Sequence, residues 1–179
     1  NIGLFQPLTV LDLVVYNKKN SKLQRVKEIK PDIIYFSLHK DIRKISICYF
    51  ISEFLSKVLN AEDDSKETFD FINRSLIAFD GINEDFYNFH ILFLLKLSKY
   101  FGIDILAPAQ LSEMDLGSDL SFYIENCIKN SYEVKISSNN KLRNKVINLL
   151  IEFYSRNLDI NIKLKSTEVL REIFIENEV

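Results

Sequence analysis

Residues able to do chemistry are few in this chain, and their spacing builds no catalytic constellation. The two histidines stand far apart, His39 before the first helical stretch and His90 inside an apolar one. Such isolated histidines read as capping or core residues before they read as catalytic bases. Cys48 and Cys127 each lie in apolar, helix-like surroundings. They are expected to be buried thiols acting as small hydrophobes, and two cysteines cannot build a four-cysteine zinc site. The acids of Glu62-Asp-Asp64 read as a solvated loop that caps a helix, with Asp64 as the cap, and no metal is expected. The four glycines stand singly, so no glycine-rich phosphate loop exists. An enzyme is therefore not the expected class, and no cofactor is expected.

Charge is the more informative signal. The net charge of −2 does not advertise a polyanion binder, but its distribution is uneven. Residues 1–30 carry Lys18, Lys19, Lys22, Arg25, Lys27 and Lys30 against Asp12 and Glu28. Residues 61–90 carry Lys66 and Arg74 against eight acids. A basic end and an acidic middle favour an oriented encounter with a polyanion. The competing reading is edge protection, because lysines commonly guard exposed strands against further pairing.

The elements that must position these cations can be read from periodicity. Leu8 to Tyr16 is rich in Val, Leu and Tyr and predicts a strand whose nearly continuous apolar residues imply cover on both faces. Leu23, Val26 and Ile29 recur every third residue, which a bulged second strand reconciles. The polar Asn17–Lys22 connector makes the pair a hairpin, with Lys18 and Lys19 at its tip. The chain opens without methionine on what looks like the end of a strand, which implies a preceding segment.

Beyond Asp41 the pattern is helical. Helices are expected over 42–59, 65–82, 84–101, 120–129, 140–157 and 166–176, with 103–118 irregular, Gly102 ending the third helix and Ser166 capping the last. No apolar run approaches the roughly 20 residues that span a bilayer, so no membrane partner is expected.

Three groups of residues carry a family resemblance. Leu4-Phe-Gln-Pro-Leu-Thr-Val-Leu-Asp-Leu-Val-Val-Tyr16, continuing to Leu23-Gln-Arg-Val-Lys-Glu-Ile-Lys-Pro31, resembles the RecO family of recombination and repair mediators in its Bacteroidetes-like form. So does Leu164-Lys-Ser-Thr-Glu-Val-Leu-Arg-Glu-Ile-Phe174. Weaker agreement lies in Asp41-Ile-Arg-Lys44, Asn88-Phe-His90 and Leu150-Ile-Glu-Phe-Tyr154. The resemblance implies a mainly α protein: residues 1–36 as the last strands of an OB-fold barrel and 37–179 as an α-helical domain. It implies a cytoplasmic, nucleoid-associated, non-enzymatic mediator. Such a protein binds and anneals single- and double-stranded DNA, and acts with RecR and SSB so that RecA can load.

On that reading Lys18, Lys19, Lys22, Arg25, Lys27 and Lys30 contact DNA. The acidic, hydrophobic SSB tail enters an apolar pocket in the helical domain whose rim cations are sought among Arg43, Lys44, Lys141, Arg143 and Lys145. Ordinary solvated helix surface is the alternative for each of those five. A helical module that docks a partner peptide without touching DNA is the rival function, and a small-ligand sensor with a pocket in the Phe-rich bundle is a third.

Overall fold

The computed structural model describes residues 2–18, 23–59 and 65–175. Strand β1 (Leu11–Tyr16) pairs antiparallel with β2 (Arg25–Pro31). The pairing steps from Val14 opposite Glu28 to Val15 opposite Val26, leaving Lys27 as an inserted residue on β2. That bulge shifts the parity of β2, so Val26 and Ile29, three apart in sequence, fall on one face. Leu11, Leu13, Val15, Val26, Ile29 and Pro31 share that apolar face, and Asp12, Val14, Tyr16, Arg25, Glu28 and Lys30 share the other.

Three expectations for this end need correction. Residues Ile2–Phe5 form a 3-10 turn rather than the end of a strand. β1 begins at Leu11, because Leu8 adopts φ 63° and cannot continue an extended strand. Among the described residues nothing covers the apolar face: Leu13, Val15 and Val26 keep 44–47% of their surface exposed.

The helical domain contains α1 (Ile42–Val58), α2 (Lys66–Gly81), α3 (Phe89–Leu97), α4 (Ser118–Lys129), α5 (Asn140–Leu158) and α6 (Ser166–Ile175). α3 is apolar all round, every residue but Lys96 is buried, and it packs against α1, α2, α4 and α5. It is shorter than the expected 84–101 helix. Asp85 sits at φ 55°, so the helix cannot start at Glu84, and 3-10 turns Phe86–Asn88 and Ser98–Phe101 flank the α-helical centre. Gly102, at φ 70°, ends the element as expected.

Local capping places the other helices. The side chains of Asp41, Ser65 and Asn139 accept from the amides of Arg43, Thr68 and Leu142 at the starts of α1, α2 and α5. Ser65 thus caps α2, where Asp64 was expected; Asp64, like Glu62 and Asp63, lies outside the described residues. Ser166 does not cap α6 with its own oxygen. Glu53 on α1 accepts from the Lys165 amide (3.0 Å), the Ser166 amide (2.8 Å) and the Ser166 hydroxyl, so α6 is capped from a neighbouring helix.

The linker between hairpin and helices is held by a single carboxylate. Asp80, at the end of α2, accepts from the amides of Phe36 (2.8 Å), Ser37 (2.7 Å) and Leu38 (2.9 Å). The buried Lys44 ammonium donates to Ser37 Oγ (2.6 Å) and to the carbonyls of Phe79 (2.9 Å) and Asp80 (3.2 Å), satisfying the carboxyl end of α2. Burial opposes ionisation of Asp80, yet the three amides hold its pKa below the usual carboxylate range.

Both cysteines are buried thiols, with pKa values pushed up to about 12 by burial. His90 is fully buried against the rings of Phe50 and Phe174, and neither ring nitrogen has a hydrogen-bond partner among the described residues. Burial, aided by the nearby Arg143 charge, lowers its pKa to about 3.

Two outcomes are expected. Asp80→Ala strands three amides and should lower unfolding free energy by about 3 kcal/mol, read by urea denaturation. Because the His90 pKa is depressed on folding, its contribution is complete above the unfolded value near 6.5 and is lost as pH falls towards 3. The slope should approach roughly 1.4 kcal/mol per pH unit in that window. His90→Leu should flatten that part of the stability profile.

Candidate nucleic-acid interface

The hairpin presents its cations on a strand scaffold whose two faces differ in chemistry. Arg25 lies directly opposite Tyr16, and the two share the polar face; Tyr16 is 50% exposed. An aromatic ring beside a guanidinium offers a base a stacking surface and a phosphate a counter-charge. Lys30 lies opposite Asp12 on the same face and pairs with it at 3.0 Å; that hydrogen bond, with the carboxylate's charge, holds the Lys30 pKa above its usual value. Lys27 occupies the bulge and lies 3.4 Å from Glu28. Lys18 is exposed at the loop's start, its amide donating to Gln24 Oε1 (2.9 Å) while Gln24 Nε2 returns a bond to the Lys18 carbonyl (3.0 Å). Lys19 and Lys22 lie outside the described residues.

The cations therefore differ in availability. Lys27 and Lys30 have carboxylates beside them, whereas Lys18 and Arg25 have no ion pair among the described residues. Tyr16 is the residue that composition passed over. Strand parity alone would have found it, once Val26 and Ile29 were assigned to one face by a bulge.

The five helical cations do not form one rim. Lys44 is 1% exposed and points into the linker clamp, where no external carboxylate reaches it. Arg43 is paired with Asp41, donates to Tyr87 Oη (3.1 Å) and lies over the Phe86 ring. Arg143, 4% exposed, donates to Ser138 Oγ (2.9 Å) and lies against the rings of Tyr87 and Phe174. Lys141 and Lys145 do meet, one turn apart on α5, beside a groove of about 420 Å³ with Leu116, Leu120 and Leu142. Asp119 lines the same groove and offsets part of their charge.

A more apolar cleft lies between α2, α3 and α4. Phe71, Leu95, Tyr100, Ile105 and Ile128 line about 320 Å³, with Lys96 and Lys99 beside them and one acid, Asp104. Phe71 and Tyr100 stack at 4.6 Å. The Lys96 ammonium donates to the Asn130 carbonyl (2.9 Å), lies 5.8 Å from the Tyr132 ring, and has its pKa lowered by burial. Sequence reading missed these two lysines because Lys96 sits on the most apolar helix of the chain and Lys99 on the 3-10 turn that continues it.

Among the described residues no group of three metal-ligating side chains comes together, and no helix is long and apolar enough to cross a membrane.

Comparison with known proteins agrees with the resemblance. Residues 39–105 match the family described as "Recombination protein O C terminal". The DNA repair protein RecO of Flavobacterium johnsoniae is 31% identical over 97% of this chain and 79% of its own length. That of Flavobacterium psychrophilum is 32% identical with the same coverage, and that of Bacteroides fragilis 27% identical over 96% of the chain. No solved structure matches. With a 31% identical relative covered over four-fifths of its length, and a helical domain following a β-hairpin, this chain belongs to the RecO family of DNA repair proteins.

Proposed function

We propose that this chain is a non-enzymatic repair and recombination mediator. It binds single- and double-stranded DNA through the polar face and tip of its hairpin, promotes annealing, and acts with RecR and SSB to help RecA load. The observation that carries the DNA reading is the placement of Tyr16 beside Arg25 on a face that also holds Lys30, with Lys18 at the loop. Cations alone would serve as edge protection; a half-exposed ring between them serves stacking.

In the same proposal, residues 1–36 are the closing strands of an OB-fold barrel and 37–179 the helical domain. The exposed apolar face of Leu13, Val15 and Val26 supports this, since a lone two-stranded hairpin is marginal in water and such a face requires cover. The protein acts in the cytoplasm, on the nucleoid.

For the SSB tail, the α2–α3–α4 cleft fits better than Arg43, Lys44 and Arg143, whose charges are already taken up. It offers stacked rings for an apolar side chain and two ammonium groups for carboxylates, and it carries less opposing charge than a scattered set of partnered arginines. The same cleft favours the rival, a peptide-docking module with no DNA function.

Salt separates the two. Single-strand binding followed by fluorescence anisotropy should weaken steeply with salt, and Arg25→Ala should lower the slope of log K against log salt by about 0.7. Tyr16→Ala should weaken binding by about 1–3 kcal/mol per stacked base and leave that slope unchanged. Binding that is indifferent to salt and to both variants overturns the DNA reading. In a parallel titration, Lys96→Glu should abolish capture of an acidic, aromatic-ended peptide while single-strand binding persists; unchanged capture removes the cleft from the proposal.

A further inference from the structure

The joint between hairpin and helical domain concentrates three unfavourable features. Leu8 holds φ 63°, a left-handed conformation that a residue with a branched side chain rarely adopts. Thr9 Oγ1 and Tyr35 Oη are both buried with no hydrogen-bond partner among the described residues. On the favourable side, Tyr35 meets His39 edge-on at 5.8 Å. With it stand, among the described residues, one hydrogen bond between His39 Nε2 and the Pro7 carbonyl (3.1 Å) and the packing of Leu8 against the helical core. On the far side of the joint the linker is firmly held by Asp80.

Backbone strain and orphaned hydroxyls persist where surrounding contacts over-determine them, and they mark places where a second arrangement lies close in energy. We infer that the hairpin is latched to the helical domain rather than built rigidly onto it. Leu8 is the latch: its side chain seats against the helices only while its backbone is left-handed. On release, Leu8 returns to an ordinary conformation, Thr9 and Tyr35 regain water, and the hairpin pivots about the Asp80-held linker. The device would let the strands reorient on the helices without disturbing the helical core. It goes beyond the DNA reading and does not depend on it.

The test uses the free chain with spin labels at Glu28→Cys on β2 and Lys163→Cys before α6, both exposed positions, while buried Cys48 and Cys127 stay unlabelled. Pulsed dipolar distance measurements compare Leu8→Ala with Leu8→Gly. Both variants lack the same side chain, so lost packing largely cancels, and only glycine accepts the left-handed backbone without strain. A docked and an undocked distance are expected. The docked-to-undocked ratio should be about five- to thirtyfold higher for Leu8→Gly than for Leu8→Ala. A single narrow distance shared by wild type and both variants overturns the latch, as does a lower docked fraction in Leu8→Gly than in Leu8→Ala.

Discussion

The Asp80 carboxylate and the Lys44 ammonium together make the contact on which the arrangement of the two parts depends. Neither is satisfied by its own helix. Asp80 gathers three consecutive linker amides, and Lys44 takes the last carbonyls of α2 while bonding the linker serine. A buried ammonium without such acceptors would be strongly unfavourable, and three amides beside a helix end would otherwise be orphaned. Each charge is tolerated because of what the other organises. The result is a fixed exit point for the hairpin from an otherwise ordinary helical bundle.

Around that anchor, the bundle forms for conventional reasons. α3 is apolar on all sides and therefore central, with Tyr154 on α5 donating to the Leu94 carbonyl at 2.7 Å to tie a neighbour to it. α6 is short and draws its first amides' acceptor from Glu53 on α1, so its stability is tertiary rather than local. Leu170 and Phe174 then complete the core beside His90. The signature residues of the last helix are thus explained by contact: Ser166 meets Glu53, and Phe174 meets His90 and Tyr87.

The hairpin follows a different logic. Its two faces are chemically distinct, one fully apolar and one mixing Tyr16 with both charge signs. The bulge at Lys27 produces that separation from a sequence whose spacing is irregular. Without it, Val26 and Ile29 would point to opposite sides, and neither a clean apolar face nor a Tyr16–Arg25 neighbourhood would exist.

Much is legible in the sequence. Six helical segments, the hairpin, the need for a bulge, the buried thiols and the family followed from periodicity, turn chemistry and short motifs, because these are local properties of the chain. Aspartate and serine serve equally well as caps on local grounds, so the sequence alone points to Asp64, whereas the α2 cap is Ser65, whose hydroxyl accepts from the Thr68 amide. The third helix is shorter than its apolar periodicity predicts, because periodicity does not register a left-handed residue at Asp85. What only the tertiary structure decided was which cations remain available. Lys44, Arg43 and Arg143 look like surface charge in sequence, yet they are taken up by a helix end, an adjacent acid and two aromatic rings. Asp41 is a local partner, two residues from Arg43, but the helix end on Lys44 and the rings on Arg143 are brought in from distant elements, and no spacing rule along one helix can announce them.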